Sequence, residues 1–247
     1  MAKEVFNRFE HKYLLDKNTY EKVLTVINQY MVMDKYNFNE KPYTISNIYY
    51  DTDDDYLIRN SLSKPAYKEK LRLRAYGVPS ITDKVFLEIK KKYKGIVNKR
   101  RTSIYLDDAY SFVENGVVTK FDDFMNRQVT NEITYFLQTY IVKPKLYLAY
   151  DRIAFFEKDN SALRISFDTN IRARRYDLRL EYGDYGEKII SDKFYLMEIK
   201  SELTKPLWVC RMLSDLDIKR QRFSKYGTEY KIHIMDSKED TRCVVNG

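Results

Sequence analysis

Charged and apolar residues alternate strictly in several short segments of this chain, most clearly in Glu69-Lys70-Leu71-Arg72-Leu73-Arg74. Successive side chains of a β-strand point to opposite faces, so this segment predicts a strand with one cationic and one apolar face. The cationic face carries Lys68, Lys70, Arg72 and Arg74. Like charges at this spacing repel each other, which favours an anionic ligand above them. A solvent-facing strand of an antiparallel sheet alternates in the same way, and this strand alone does not separate the two interpretations.

The same alternation predicts strands along most of the chain. The predicted strands are Phe6–Leu15, Tyr43–Asp51, Lys68–Arg74, Val85–Tyr93, Asn98–Leu106, Lys145–Phe156, Ala162–Asp168, Ile171–Tyr176 and Lys193–Ser201. Gly77-Val78-Pro79 and Gly95 mark turns between consecutive strands, which favours hairpins.

Apolar residues at helical spacing predict helices between these strands. The predicted helices are Lys17–Met31 after the capping residue Asp16, a short one from about Asp53 to Asn60, two pieces of 107–140 divided near Gly116, and one opened by Pro206. Asp53-Asp54-Asp55 is interpreted as a helix start rather than a metal site, because acids are favoured in a first helical turn. Residues 229–247 are predicted to be a polar C-terminal tail.

Length and charge limit the number of domains and the classes of binding partner. The chain of 247 residues predicts a single domain, with a core of about residues 6–228. Its 44 lysines and arginines against 36 acids give a formal charge of +8, which favours nucleotides, polyphosphate, nucleic acid or anionic headgroups as partners. Cys210 and Cys243 fit no zinc or disulfide pattern, which predicts a reducing cytoplasm. No run approaches the ~18 apolar residues of a membrane span, so we expect a soluble protein.

The tripeptide Glu-x-Lys occurs on three predicted strands, as Glu10-His11-Lys12, Glu88-Ile89-Lys90 and Glu198-Ile199-Lys200. Both charged residues of each triplet share a face. Carboxylates bind Mg²⁺ or Mn²⁺, and lysines and arginines bind phosphate oxygens. Because the opposite faces are apolar and the helices carry apolar stripes to cover them, the strands are predicted to close into a barrel whose charged face lines a basic lumen.

The sequence lacks the residues that several other kinds of binding or catalytic site need. The seven glycines form neither a Walker A sequence nor GxGxxG, so the usual phosphate loops for nucleotides are not predicted. His11 and His233 are the only histidines, and His11 falls on an apolar face. A histidine-based catalytic triad or zinc site is therefore not predicted.

Eight short motifs, in order along the chain, resemble the VTC domain, the polyphosphate polymerase branch of the triphosphate tunnel metalloenzyme (CYTH-like) superfamily. The motifs are Phe9-Glu10-His11-Lys12-Tyr13, Ile48-Tyr49-Tyr50-Asp51-Thr52, Lys70-Leu71-Arg72-Leu73-Arg74, Leu87-Glu88-Ile89-Lys90, Tyr150-Asp151-Arg152, Leu163-Arg164-Ile165-Ser166, Met197-Glu198-Ile199-Lys200 and Phe223-Ser224-Lys225-Tyr226. The resemblance runs from about Phe6 to Tyr226. It implies an α+β fold in which a closed antiparallel eight-stranded β-barrel forms the triphosphate tunnel and helices pack outside.

The resemblance also implies roles for individual residues. By position, phosphate contacts would come from Lys12, Arg72, Arg74, Lys90, Arg152 and Arg164, with a further cation from Lys99, Arg100 or Arg101. Lys70 and Lys200 are further candidates, because the alternation places them on the same charged strand faces. Glu198 would bind Mn²⁺ or Mg²⁺, with Glu10 and Glu88 as further candidates. Lys225, on a C-terminal helical segment at the tunnel mouth, resembles the catalytic lysine of the family.

The resulting hypothesis is an ATP-dependent polyphosphate polymerase that moves the γ-phosphoryl group to a growing chain held in the tunnel, releases ADP and works processively. The nearest alternative is a metal-dependent tripolyphosphatase or nucleoside triphosphatase of the same fold. The polymerase is favoured because each strand offers one glutamate beside several cations, whereas hydrolases of this superfamily carry several glutamate pairs. A non-catalytic binder of polyphosphate or RNA is the third reading, and no sequence-specific nucleic-acid recognition is expected. A self-association or a membrane-protein partner stays open.

Overall fold

The computed structural model describes residues 9–94, 96–116, 124–158, 163–201 and 204–245, and its strands form one antiparallel sheet. The strands are β1 (Phe9–Asp16), β2 (Met31–Met33), β3 (Tyr43–Asp51), β4 (Tyr67–Tyr76), β5 (Lys84–Tyr93), β6 (Ile96–Tyr105), β7 (Lys143–Glu157), β8 (Arg164–Arg174), β9 (Glu187–Lys188) and β10 (Phe194–Ser201). The helices are α1 (Lys17–Tyr30), α2 (Tyr56–Leu62), α3 (Leu106–Asn115), α4 (Phe124–Thr139), α5 (Leu207–Asp215) and α6 (Lys225–Val245), with 3₁₀ turns at Phe38–Glu40 and Leu180–Tyr182. The α+β prediction is confirmed.

Eight strands follow one path through the sheet, in the order β1-β10-β8-β7-β3-β4-β5-β6. The two remaining strands are short, and β2 pairs with β7 while β9 pairs with β8. Consecutive strands β4, β5 and β6 form hairpins, as the turn residues predict.

The sheet curls until its two ends face each other, but it does not close. The Glu10 carboxylate of β1 lies 3.6 Å from the Lys90 ammonium of β5, so side chains bridge the ends. No backbone pairing joins β1 to β6 in the described residues. Instead the backbone N–H of Gln221 donates to the carbonyl of Lys12 at 2.8 Å, so Gln221 lies against the outer edge of β1. The prediction of a closed barrel is therefore wrong, because another segment occupies the edge that closure requires.

Two apolar clusters on the convex side of the sheet explain why the charged face points inward. Leu71 and Leu87 pack with Phe112 of α3 and Phe136 of α4 on one half of the sheet. On the other half, β1, β8 and β10 pack against α1 and α5. Each fully buried leucine or phenylalanine side chain contributes about 1.5–3 kcal/mol, so these helices stay on the apolar face. The charged face is left on the concave side, as predicted.

The third cluster lies on the concave side of the sheet, where it joins α6 and α2 to residues such as Ile45 and Leu148, and it corrects the predicted tail. The predicted tail is helical from residue 229 onwards, because α6 continues to Val245. Tyr226, Tyr230 and Ile234 recur at a spacing of four residues and pack in this cluster, and Glu229 is also buried. The sequence analysis missed this stripe. Residues 246–247 lie outside the described residues.

Two other element predictions need correction. The segments Ala162–Asp168 and Ile171–Tyr176 belong to one strand, β8, in which Asn170 adopts a positive φ of 46°. A register irregularity in β7 opposite this point absorbs the bend. The N-terminal ends of the predicted strands at Phe6 and Ala162 lie outside the described residues.

The acidic trio precedes the first turn of α2 rather than forming it, because α2 begins later than predicted. Asp55 stands at its N-cap with a φ of 56°, and Tyr56 is the first helical residue. Asp53 pairs with Lys143, and Asp54 pairs with Arg59. Asp55 lies 3.2 Å from the Lys145 ammonium, so each acid of the trio has a cationic partner.

Candidate active site

Cross-strand neighbours share a face of a sheet, so the register shows which predicted residues meet. Lys70 stands opposite Lys90, and Glu10 stands opposite Lys200, which in turn stands opposite Arg164. We call this side of the sheet the concave face. Its predicted site residues are Glu10, Lys12, Lys70, Arg72, Arg74, Glu88, Lys90, Lys99, Arg152, Arg164, Glu198 and Lys200.

The tandem cations of β6 divide between the two faces. Arg100 stands opposite Ile89 of the apolar face, and its guanidinium lies 2.8 Å from the Glu132 carboxylate of α4. Lys99 and Arg101 point to the concave face. The structure thus does not bring Arg100 to the site, and we drop it from the set of phosphate ligands.

Glu88 is the centre of one buried ion cluster, which we call the Glu88 cluster. Its carboxylate lies 2.7 Å from the Arg72 guanidinium, 2.7 Å from the Lys99 ammonium and 3.9 Å from Arg74 Nε. Burial raises the pKa of Glu88, but the cations of Arg74, Arg72 and Lys99 outweigh it and hold that pKa well below its usual range. A carboxylate enclosed by three cations orients those cations and does not fit a metal ligand. The Glu88 metal prediction is therefore not carried further.

A second buried ion cluster, the Asp168 cluster, joins the sheet to α6. Arg152 binds both Asp168 carboxylate oxygens, at 2.6 and 2.8 Å, and the Lys225 ammonium lies 2.5 Å from the same carboxylate. Burial raises the pKa of Asp168, but Arg152 and Lys225 lower it to about 2. Lys225 is the first residue of α6 and only 8% exposed, so it lies inside rather than at a mouth.

The sequence analysis missed Asp168 as a site residue. A signal was present, because Asp168 shares the strand face of Arg164 and stands opposite Arg152 in the register. Lys225 is held in turn by its neighbour Tyr226, whose hydroxyl donates to the buried Asp51 carboxylate at 3.0 Å.

Glu10 and Glu198 form the remaining acidic pair of the concave face. Glu198 lies 2.7 Å from the Lys200 ammonium, and Glu10 lies 3.3 Å from that of Lys12. Burial and the neighbouring Glu198 carboxylate raise the pKa of Glu10. Three ammonium groups, those of Lys90, Lys200 and Lys12, outweigh both and lower that pKa to about 2. The pKa of Glu198 is also held well below its usual range, against burial, by Lys200 and Lys12. Both carboxylates are therefore anionic.

These two carboxylates fit a divalent metal that is shared with a phosphate ligand. Mg²⁺ is commonly held by one or two carboxylates together with substrate phosphate oxygens. No group of three or more His, Cys, Asp or Glu residues gathers into a metal cluster in the part of the chain that the structure describes. Glu198 and Glu10 are thus the residues that would hold such a metal, completed by phosphate oxygens.

Lysines face one another across the neighbouring strands β4, β5 and β6. Lys70 faces Lys90 across the sheet, and Lys90 faces Lys99. The Lys70 ammonium lies 5.3 Å from the ring centre of Tyr226. Burial, helped by the positive charge of Lys90, lowers the pKa of Lys70 to about 8. Opposed like charges destabilise a bare sheet, so an anion above this row would stabilise the fold.

Arg164 lies on β8 at the other side of the concave face. Its guanidinium donates to the Tyr43 hydroxyl at 3.1 Å and lies 3.5 Å from the Asp34 carboxylate. It also lies over the Phe156 ring at 4.9 Å. These contacts hold Arg164 at the edge of the cationic surface.

Neutral polar side chains complete the site. Arg74 donates to the Asn47 side-chain oxygen at 3.0 Å and to the Tyr150 hydroxyl at 3.2 Å. Arg72 donates to the Tyr49 hydroxyl at 3.2 Å. The alternation along β3 could have identified Asn47 and Tyr49, because both lie on the concave side of that strand.

Taken together, the concave face presents many fixed cations and few available acids. Glu88 and Asp168 are enclosed by cations, which leaves Glu10 and Glu198 beside an excess of lysines and arginines. Such a surface binds a chain of phosphates and stabilises negative charge that develops on their oxygens.

Comparisons with known proteins agree with this fold. The family model of the VTC domain matches residues 7–234. The structure of a candidate adenylate cyclase from Bacillus halodurans has a TM-score of 0.54 at 14% identity, over 90% of this chain and 96% of that chain. At this identity, the likeness shows a shared fold alone. No curated protein matches the chain in sequence.

Two further solved structures are more distant. A candidate adenylate cyclase from Vibrio parahaemolyticus has a TM-score of 0.48 at 15% identity, over 92% of this chain and 99% of that one. A candidate adenylyl cyclase from Hippeastrum, described as having a dominant triphosphatase activity, has a TM-score of 0.45 at 16% identity, over 88% and 92%. Neither carries an argument about the chemistry of this chain. Within the described residues, every helix is too short or too polar to cross a membrane.

Proposed function

The chain belongs to the VTC domain family, and we propose that it is an ATP-dependent polyphosphate polymerase. In this reaction the γ-phosphorus of ATP bonds to a terminal oxygen of a polyphosphate chain while its bond to the β,γ-bridging oxygen breaks. ADP leaves with that oxygen. The acceptor oxygen is already anionic at neutral pH, so the step needs no strong general base.

One observation carries the proposal: the buried acids of the concave face are enclosed by cations, while further cations remain for a ligand. Glu88 and Asp168 contact arginine and lysine groups at 2.5–2.7 Å. Two-metal hydrolysis would need several carboxylates free of cations, whereas Glu10 and Glu198 also contact lysine ammonium groups, at 3.3 and 2.7 Å. Phosphoryl transfer depends mainly on positioning and on neutralising phosphate charge, which fixed cations supply.

Arg72 and Arg74 would bind the phosphates on one side and Arg152 on the other. Lys225 would contact the transferring group or the acceptor end from the start of α6. The ionised Asp168 carboxylate holds the Lys225 ammonium in place, so this contact is prepared before the substrate binds. A divalent metal at Glu198 and Glu10 would add neutralising charge to phosphate oxygens.

The proposal is tested by incubating the purified chain with ATP and Mn²⁺ or Mg²⁺, measuring ADP and staining the products for polyphosphate on a gel. Long stained chains that grow with ADP would support the polymerase. Inorganic phosphate without chains would instead show a tripolyphosphatase or nucleoside triphosphatase.

Replacing Glu198 by Gln separates a catalyst from a simple binder. A catalyst should lose turnover, because the anionic metal ligand is gone. A non-catalytic module would show no turnover in either form, and its variant should bind polyphosphate as well as or better than the parent protein. Unchanged turnover in Glu198→Gln would contradict the metal role.

A further inference from the structure

Three arginines of the concave face each donate a hydrogen bond to a tyrosine hydroxyl. The pairs are Arg72 with Tyr49 at 3.2 Å, Arg74 with Tyr150 at 3.2 Å, and Arg164 with Tyr43 at 3.1 Å. The tyrosines lie on β3 and β7, which are neighbours in the sheet. Arg72 and Arg74 lie on β4 and Arg164 lies on β8, so the hydroxyls meet arginines of two strands from the middle of the site.

A tyrosine holds an arginine differently from a carboxylate. Asp168 fixes Arg152 with two short contacts, but its negative charge cancels much of the field that a phosphate would feel. A phenolic oxygen accepts the same kind of hydrogen bond and carries no net charge. The tyrosine thus orients the arginine without adding a further negative charge to that of the nearby Glu88 or Asp34 carboxylate.

Each of these hydroxyls also keeps a proton to donate. In the described parts of the chain, none of the three donates to another protein group, although each accepts from an arginine. A hydroxyl that accepts from a cation becomes a stronger donor, because chained hydrogen bonds polarise one another. Its proton suits a non-bridging phosphate oxygen.

We propose that Tyr43, Tyr49 and Tyr150 are neutral positioning residues that orient Arg164, Arg72 and Arg74 and donate their own hydroxyl protons to the phosphate chain. This inference rests on the proposed function, because it takes a phosphate chain as the ligand of the concave face. It adds three uncharged residues to a site whose other ligands are cations.

The electrostatics of two of the three tyrosines agree with this role. Burial raises the pKa of Tyr49 and of Tyr150, but nearby arginines outweigh it, and both values end below the usual range. By contrast, burial raises the pKa of Tyr50 above the usual range on the apolar face of the same strand. At Tyr43, burial outweighs Arg164 and Arg152 and raises the pKa. The arginines therefore lower the hydroxyl pKa at Tyr49 and Tyr150 alone of the three.

The test uses inorganic tripolyphosphate as the probe and measures its dissociation constant by titration calorimetry. Tyr49→Phe and Tyr150→Phe should each weaken binding about tenfold, and the double variant about a hundredfold, since a hydrogen bond to a charged group is lost in each. Tyr147→Phe is the matched control. Tyr147 is buried on β7 next to Arg174, but its hydroxyl bonds to Ser46 away from the site. The control should bind within about twofold of the parent protein.

A spectroscopic readout separates donation to the ligand from a structural effect. Tripolyphosphate should change the ultraviolet difference spectrum of tyrosine in the parent protein and in Tyr147→Phe. The change should be lost in Tyr49→Phe/Tyr150→Phe, whose thermal unfolding should match that of the control. If either single variant is too unstable to purify, the other carries the same test.

The outcomes distinguish this inference from the proposed function. If tripolyphosphate binding falls in the site variants but the parent protein makes no polyphosphate from ATP, the inference stands and the polymerase proposal fails. If the site variants bind like Tyr147→Phe, or if the parent protein does not bind tripolyphosphate, the tyrosine inference is overturned whatever the turnover shows.

Discussion

The Glu88 cluster and the Asp168 cluster use the same kind of contact for different purposes. In the Glu88 cluster, every member lies on adjacent strands of the sheet, so the carboxylate only spaces Arg72, Arg74 and Lys99 against one another. In the Asp168 cluster, the carboxylate joins Arg152 of the sheet to Lys225 of α6. The comparison shows that one buried acid can build a binding surface while another positions a reactive cation that comes from outside the sheet.

The largest expected effect is on stability, at Glu88. Glu88→Gln leaves three cations without their buried counter-charge, and we expect the free energy of unfolding to fall by about 3–5 kcal/mol in urea titrations. Tripolyphosphate should recover part of the loss, because an anion can replace the carboxylate. Glu132→Gln is the control on the convex side, where the loss should be about 1 kcal/mol or less. Equal losses would contradict the structural role of Glu88.

The next effect is on turnover, at Lys225. Lys225→Ala removes a fixed cation from the developing charge but leaves Arg152 to hold Asp168. We therefore expect ADP release to fall about 10²–10³-fold with little change in thermal unfolding. Lys231→Ala, on an exposed position of the same helix, should keep normal turnover. If Lys225→Ala kept turnover within about threefold of the parent protein, the Asp168 cluster would not position a reactive cation, and the two clusters would not differ in purpose.

A smaller effect should appear in the pH dependence of stability. The pKa of Asp168 is about 2 in the folded protein against an ordinary 3.8. Because the folded value is the lower one, its stabilisation is present above about pH 4 and is lost as the pH falls towards 2. The loss should amount to about 2 kcal/mol. Between about pH 4.5 and 2.5, the free energy of unfolding measured in urea should therefore fall less steeply for Asp168→Asn than for the parent protein. Parallel curves would contradict the assignment.

The smallest expected effect is on the KM for ATP, when two neighbouring cations of β6 are replaced in turn. Lys99→Gln removes a cation from the concave face and should raise KM for ATP about fivefold, equivalent to about 1 kcal/mol. Arg100→Gln removes only the contact with Glu132 on the other face, so its KM should change less than about twofold. A larger effect at Arg100 than at Lys99 would reverse the assignment of faces.

Alternation along the strands predicts much of this arrangement. Arg72 and Arg74 could be placed together, and each Glu-x-Lys triplet could be placed on one face, because the two-residue period of a strand is local. The helix after Asp16 could be predicted for a similar reason, and the Asp16 carboxylate accepts from the backbone N–H of Thr19 at 2.8 Å.

Contacts between distant segments could not be read from these local patterns. Asp168 meets Lys225 across 57 positions of sequence, and the choice between Lys99 and Arg100 depends on the register of the β5–β6 hairpin. The edge of β1 does not pair with β6 because the backbone of Gln221 occupies it, and no sequence pattern predicts that backbone contact. The helical stripe of α6 was detectable, but its polar neighbours concealed it.

The most direct test of the central claim is the stoichiometry of phosphate transfer. ATP labelled in its γ-phosphate should be followed with the parent protein, measuring ADP, labelled inorganic phosphate and labelled polyphosphate together. The account predicts one labelled phosphate in polyphosphate for each ADP, in products that remain bound and lengthen during a chase with unlabelled ATP. Labelled inorganic phosphate equal to ADP, with no labelled chain, would contradict it.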